Sequence, residues 1–265
     1  MSSNMALVTG ASRGVGKGIA VALGRAGWTV WVTGRSSLTG PRTTALPGTV
    51  EETARAVRDA GGHGIPVRCD HRDDTDVLRL AARLEDEAGE LGLLVNNVWG
   101  GFGRRHAGAV REWDLPYWRQ PLVLWDSMLD SVRAHYVTTV VLSPLLMRTP
   151  GSLIVTVSAD AGRRHRAGDN VPYSVAKAAD DRLAVAVAAQ LAGQGVASVA
   201  LHPADVRTEG TPRTVRLTDP AATQSPEGVG RVVAALTTDP ELRHLSGTVL
   251  DVSALAVRYG LDIHS

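Results

Sequence analysis

A chain of 265 residues and 27.9 kDa is long enough for one large α/β domain with a substantial core. Its 44% hydrophobic and 21% charged residues are ordinary for a soluble globule, and a net charge of +1 gives no large attraction to nucleic acid or to an anionic membrane. The one cysteine, Cys69, excludes an intrachain disulfide and fits a reducing, cytoplasmic compartment. The N-terminus has no basic segment followed by a long apolar run, so no signal peptide is expected, and no stretch is long enough to span a bilayer.

Short apolar runs alternate with longer amphipathic stretches. Ala6 to Thr9 predicts a first strand, followed by a glycine loop and a helix from Val15 to Ala26. Trp28 to Thr33 predicts the second strand, Ile65 to Cys69 the third, Leu93 to Asn96 the fourth, Leu153 to Val157 the fifth, Val196 to Leu201 the sixth and Thr248 to Val252 a seventh. Between them fall helix-length segments at Val50–Ala60, Thr75–Glu90, Leu122–Met147, Pro172–Leu191 and Pro226–Thr237. This alternation predicts a single-domain α/β fold over residues 1–265, a doubly wound parallel seven-stranded sheet of Rossmann type with helices on both faces.

Two regions break the rhythm. Ser36 to Gly48, with two prolines and two glycines, predicts a loop extension. Residues 98–121 are too long for an ordinary connection and carry Trp99, Phe102, Trp113, Tyr117 and Trp118. Such an aromatic loop suits a pocket for a large, flat or apolar small molecule, or alternatively a core or subunit contact.

Thr9-Gly10-Ala11-Ser12-Arg13-Gly14-Val15-Gly16 lies between a strand and a helix. Gly10 permits a tight turn, while Gly14 and Gly16 let backbone approach a pyrophosphate at the helix N-terminus. The spacing is G-x-x-x-G-x-G rather than G-x-G-x-x-G. An NAD site usually places an acid after the second strand, but that strand ends Thr33-Gly34-Arg35-Ser36. Arg35 and Arg13 are placed to grip a 2′-phosphate instead, so NADP(H) is the expected cofactor.

Only Lys17 and Lys177 are lysines, against 28 Lys and Arg together. Lys177 follows Tyr173 by four residues, so both share one helix face. An ammonium beside a phenol favours the phenolate, which suits Tyr173 to general acid/base work. The eight histidines show no metal-ligand spacing, and no metal is expected.

With these elements in place, nearly the whole chain resembles the short-chain dehydrogenase/reductase family. The glycine loop from Gly10 through Ser12, Arg13, Gly14 and Val15 to Gly16 matches the family's cofactor loop. Asp70, after Cys69, matches the adenine-contacting Asp. Asn96-Asn97-Val98-Trp99 stands where the family has Asn-Asn-Ala-Gly, and Tyr173 with Lys177 matches the catalytic pair. Pro203-Ala204-Asp205-Val206-Arg207-Thr208 stands at the nicotinamide-side segment, implying that Val206 and Thr208 contact the cofactor and that 203–225 forms a lid. Arg133-Ala134-His135-Tyr136, Asn170-Val171-Pro172-Tyr173 and the C-terminal Arg258-Tyr259-Gly260-Leu261 are similar to the branch containing dehydrogenase/reductase member 1. The resemblance implies a homodimer or homotetramer packed through the two longest helices.

The family's carbonyl-binding serine falls, in the preferred register, on Ala159, with Ser158 one residue early. Neighbouring strand residues face opposite sides, so Ser158 serves as the catalytic hydroxyl only if the strand end is irregular. Asp160, His106 and Tyr117 are alternative donors. The family's helix asparagine falls on Val132, or on Ser131 with a one-residue slip. The expected activity is hydride transfer between NADP(H) and a carbonyl or alcohol. Two alternatives remain open: non-redox chemistry (cyclisation, dehydration or isomerisation) with a structural dinucleotide, and a non-catalytic dinucleotide-binding module.

Overall fold

The computed structural model describes residues 4–40, 42, 45–101, 110–164, 169–211 and 223–265. Its strands are β1 (Met5–Val8), β2 (Thr29–Gly34), β3 (His63–Arg68), β4 (Leu93–Asn96), β5 (Leu153–Val157), β6 (Ala197–His202) and β7 (Val249–Asp251). They form one parallel sheet in the order β3-β2-β1-β4-β5-β6-β7. The winding reverses between β1 and β4, which opens a crevice at their carboxyl ends.

Period-two alternation divides the strand residues between two cores. Ala6 and Val8, Val30 and Val32, Leu93 and Val95, and Leu153, Val155 and Val157 face one side. They pack there against α1 (Gly14–Arg25), α2 (Val50–Asp59) and, toward the C-terminus, α7 (Pro226–Leu236) and α9 (Val252–Tyr259). Leu7, Trp31, Leu94 and Ile154 face the other side, against α3 (Asp74–Glu87), α5 (Leu122–Met147) and the end of α6 (Val171–Leu191). Both faces are covered, so the strands read as continuous apolar runs. Two short helices, α4 (Val110–Trp113) and α8 (Leu242–Leu245), complete the set among the described residues.

Helix starts follow local chemistry. Thr49 accepts from the Glu52 amide at α2, Asp73 from the Thr75 amide at α3, and Ser225 from the Gly228 amide at α7. By contrast the N-cap residue of α1, Arg13, makes no side-chain cap of its own.

The element boundaries differ from expectation in a few places. β3 begins at His63 rather than Ile65, because His63 to Arg68 pair in register with Thr29 to Gly34. The seventh strand stops at Asp251, whose carboxylate accepts from the Ala254 amide at 2.9 Å and starts α9 one residue later. Within 98–121, α4 and a 3-10 turn at Tyr117–Arg119 give the aromatic segment structure of its own. Among the described residues no helix is long and apolar enough to cross a membrane, and no cluster of His, Cys, Asp or Glu is arranged to hold a metal.

Candidate active site

The glycine loop leaves β1 and turns at Gly10 (φ 62°) and Gly14 (φ 58°), both in the left-handed region that favours glycine. A Cβ on Gly10 would lie 3.0 Å from the Asn97 carbonyl oxygen and 3.2 Å from its Nδ2. Asn97, just past β4, braces the loop: its amide donates to Thr9 Oγ1 at 2.8 Å, and its Nδ2 donates to the carbonyls of Thr9 (3.1 Å) and Gly10 (3.3 Å). Gly16 supports the loop from beneath, where a Cβ would stand 2.8 Å from the Gly10 carbonyl oxygen.

A cavity of about 530 Å³ runs from this loop along the carboxyl ends of the strands. Gly10, Ser12, Arg13, Gly14 and Val15 line one end, with Arg35 and Asp70 beside them. Trp99, Trp113, Tyr173 and Lys177 line the other, and Val206 and Thr208 form part of the covering wall. All the sequence-designated site residues therefore meet at one cavity except Gly16, which acts through packing. Of the expected 203–225 lid, 212–222 lie outside the described residues.

The arginine end is a cluster of positive charge with internal ties. Arg13 is buried, and its guanidinium donates to the carbonyls of Pro47 (3.1 Å) and Gly48 (2.8 Å) and to Ser36 Oγ (3.1 Å). Much of its donor capacity therefore ties Ser36, Pro47 and Gly48 to the glycine loop. Burial lowers the Arg13 pKa, opposed by the nearby Glu209 and assisted by Arg35 and Arg42. Arg35 approaches Asp70 at 3.9 Å, while Arg72 holds the same carboxylate at 2.8 Å. Burial, then the Arg72 charge, lowers Arg35 as well. Cys69 also borders this end; burial and the carboxylates of Asp76 and Asp70 push its thiol up to about 12, so it is no nucleophile near neutrality.

One contact carries no signal in the chain's local pattern. Glu209 Oε2 accepts from the Gly14 amide at 2.8 Å, placing a carboxylate on the free N-terminus of α1. A helix N-terminus favours negative charge, and here a carboxylate of the chain itself occupies it.

At the opposite end Asn170 caps α6: its Oδ1 accepts from the Tyr173 amide at 3.0 Å, and its Nδ2 donates to the Trp113 carbonyl at 3.0 Å. The Tyr173 ring lies 5.4 Å from that of Trp113, which meets Trp99 edge-on at 6.2 Å. Of the aromatic segment, Trp99 and Trp113 reach the cavity; Tyr117, Trp118 and Trp125 are exposed, and Phe102 lies outside the described residues.

Lys177 is buried. Its Nζ donates to the Val157 carbonyl and to Asp180 Oδ2, each at 3.0 Å. Asp180 Oδ1 in turn meets His135 Nδ1 of α5 at 2.8 Å, and both residues are 1% exposed. Burial alone would lower the lysine, but Asp180, with the Tyr173 phenolate charge, more than compensates and raises it. Burial likewise opposes ionisation of Asp180, yet Lys177 and His135 bring its carboxyl down to about 2. Neither partner was named from sequence. Asp180, three residues beyond Lys177 on one helix, was legible by spacing; His135 was not.

The expected hydroxyl and amide positions depart from the family pattern. Val157 faces the α1 core, so Ser158 faces α6, where its Oγ donates to the Lys177 carbonyl at 3.0 Å. The hydroxyl proton is thus used inside the protein, and Ala159 adds only a methyl to the cavity wall. Ser131 Oγ accepts from the Gly100 amide at 2.7 Å, while Val132 packs with the Leu124–Met128 cluster. Asp160 pairs with Arg164 at 3.2 Å, Tyr117 meets Trp118 edge-on outside the cavity lining, and His106 lies outside the described residues.

Residues 4–216 match the family model described as short chain dehydrogenase. The chain is 36% identical over 276 residues to the mouse dehydrogenase/reductase SDR family member 1, covering 98% of this chain and 83% of that protein. Identity to the human protein of that name is 34%, with the same coverage. A solved structure from Xanthomonas campestris, described as a dehydrogenase, superposes with a TM-score of 0.80 at 27% identity, covering 100% of this chain and 92% of the other.

Proposed function

Since the chain belongs to the short-chain dehydrogenase/reductase family, in the branch of dehydrogenase/reductase SDR family member 1, we propose that it is an NADP(H)-preferring oxidoreductase acting on a carbonyl or alcohol, with Tyr173 as acid/base. Membership supports the coarser statement, a dehydrogenase/reductase binding a nicotinamide dinucleotide. The single observation that supports the chemistry is that Tyr173 and Lys177 line the cavity whose far end is the glycine loop.

The residues present fit the cofactor: a glycine cradle, an uncapped helix end already holding a carboxylate, and a cavity that reaches Tyr173. Gly10 to Gly16 would hold the pyrophosphate, and Asp70 would face the adenine. Arg35, with what Arg13 has free, would take the 2′-phosphate; Asn97, Val206 and Thr208 would flank the nicotinamide side. When bound, the dinucleotide supplies or accepts hydride. Tyr173 gives a proton to the developing alkoxide, or takes one from an alcohol, and the Lys177 charge stabilises the phenolate that remains. Trp99 and Trp113 present flat apolar surface that suits a large or aromatic small-molecule substrate and excludes water. Ser158, by fixing the Lys177 carbonyl, supports the pair from behind. The described parts of 203–225 would serve as a lid over the cofactor, and those of 98–121 as the substrate loop.

The exposed apolar side chains of α5 and α6, including Tyr136, Val140, Val171 and Val175, favour a homodimer or homotetramer built on these helices, which light scattering of the purified protein checks. Incubation with NADPH or NADH and a broad carbonyl panel tests the activity. Substrate-dependent oxidation of NADPH, slower with NADH, is expected; tight dinucleotide binding with no oxidation across the panel would count against it. The Ala159 methyl and the committed Ser158 proton favour a second reading, non-redox chemistry beside a structural dinucleotide, recognised by product formation at constant cofactor absorbance.

A further inference from the structure

We infer that Asp180, oriented by His135, is a positioning residue that holds Lys177 as a buried cation with one N–H left for the cavity; this rests on the Tyr173/Lys177 reading above. An ammonium has three donors and no acceptor. Two are satisfied by the Val157 carbonyl and Asp180 Oδ2, each at 3.0 Å, and Lys177 itself borders the cavity. An ionised carboxylate only accepts, so His135 Nδ1 carries the proton in its 2.8 Å contact with Asp180 Oδ1. Each carboxylate oxygen thus has its own partner, one on α6 and one on α5, which fixes the rotation of the Asp180 side chain. The consequence is a lysine whose charge and direction are set by the protein before any dinucleotide arrives.

The surrounding charges do not offer a substitute. Tyr173 and Asp181 are the other titratable groups that face Lys177, and Asp181 Oδ1 is held by His202 Nε2 at 2.8 Å. His71 approaches His135 from behind, tied to Thr33 and Thr138. Without Asp180, the lysine would be buried against one carbonyl, and desolvation would favour its neutral form.

Because the chain holds only two lysines, the side-chain resonances of isotopically labelled lysine read the titration directly, with Lys17→Arg giving the assignment. Without cofactor, Lys177 is expected to titrate above Lys17 in the wild type. Asp180→Asn should lower it by about two units or more, since unpaired buried lysines shift by up to ~3–5 units. Asp180→Glu should keep most of the elevation, His135→Gln should give a smaller drop, and Asp181→Asn should leave Lys177 within about half a unit. A wild-type Lys177 that titrates below Lys17, or an Asp180→Asn protein in which it moves by under about half a unit, would overturn the inference. If Asp180→Asn does not fold, the order of the two lysines in the wild type still decides. With cofactor and substrate, kcat of Asp180→Asn should fall about tenfold or more above the lowered lysine midpoint and recover below it. A wild type that binds no dinucleotide sinks the oxidoreductase reading and leaves the lysine titration intact, so the two failures are distinguishable.

Discussion

At the glycine-loop end, the cavity is walled largely by backbone: two positive-φ glycines, the unoccupied-by-cap start of α1, and carbonyls braced by Asn97. At the tyrosine end it is walled by side chains that depend on other side chains: Trp113 on Tyr173, Asp180 on Lys177, and His135 on Asp180. The first end is held mainly by side-chain bonds to backbone carbonyls, from Asn97 and Arg13; the second transmits a change through a buried, low-dielectric network where an unpaired partner is costly. The lesson is that a phosphate site can be specified locally, whereas an acid/base site is specified by whatever closes behind it.

The most severe break of this contrast is at the tyrosine end. Tyr173→Phe should reduce kcat by about 10²–10⁴-fold, the range for a lost general acid/base, with dinucleotide affinity within about threefold of wild type. Steady-state kinetics and fluorescence titration of the dinucleotide measure the two separately. A variant that loses both equally would make the two ends one unit.

His71 joins the ends, its Nε2 2.8 Å from Thr33 Oγ1 of β2 and its Nδ1 3.0 Å from Thr138 Oγ1 of α5. Burial, aided by the charge of His135, lowers it from 6.5 to about 4. The unfolded chain therefore binds the proton first as pH falls, so the neutral-His71 contribution is present above about 6.5 and is lost progressively down to about 4. A shift of that size corresponds to about 3 kcal/mol of stability. Urea unfolding at a series of pH values should show this slope, and His71→Gln should flatten it.

At the glycine-loop end, Arg35 is the side chain expected to act on selectivity. Arg35→Leu should cost about 10–100-fold in NADP(H) affinity, the weight of a charge-assisted hydrogen bond, and leave NAD(H) affinity nearly unchanged. Equal losses for both dinucleotides would remove Arg35 from the 2′-phosphate site. The smallest effect belongs to Glu209→Gln. Removing the carboxylate from the Gly14 amide should tighten dinucleotide binding by about three- to tenfold, as measured by calorimetry; unchanged or weaker binding would mean that Glu209 does not occupy the phosphate position.

Gly10, Gly14, Asn97, Tyr173 and Lys177, named from the chain alone, all line one cavity: the first three follow closely on the ends of β1 and β4, and the last two share one helix face. Reading the chain alone assigned Arg13 to the adenosine end but not its bonds to Pro47 and Gly48, since those partners are 34 and 35 residues away. Ser158, the expected catalytic hydroxyl, borders the cavity but donates its proton to the Lys177 carbonyl, a use the chain alone did not reveal. Glu209 and His135 carried no signal, because nothing about a lone acid or histidine announces a contact 195 or 45 residues distant.

The sequence by itself determined the parallel sheet, its two cores, the glycine loop and the four-residue spacing of Tyr173 and Lys177, because strand period, helix period and turn glycines are local properties of the chain. Only the tertiary structure decided which charges stand behind Lys177 and which anion rests on α1. Those contacts form between elements whose mutual distance the sheet order sets, and burial there turns proximity into pKa and orientation.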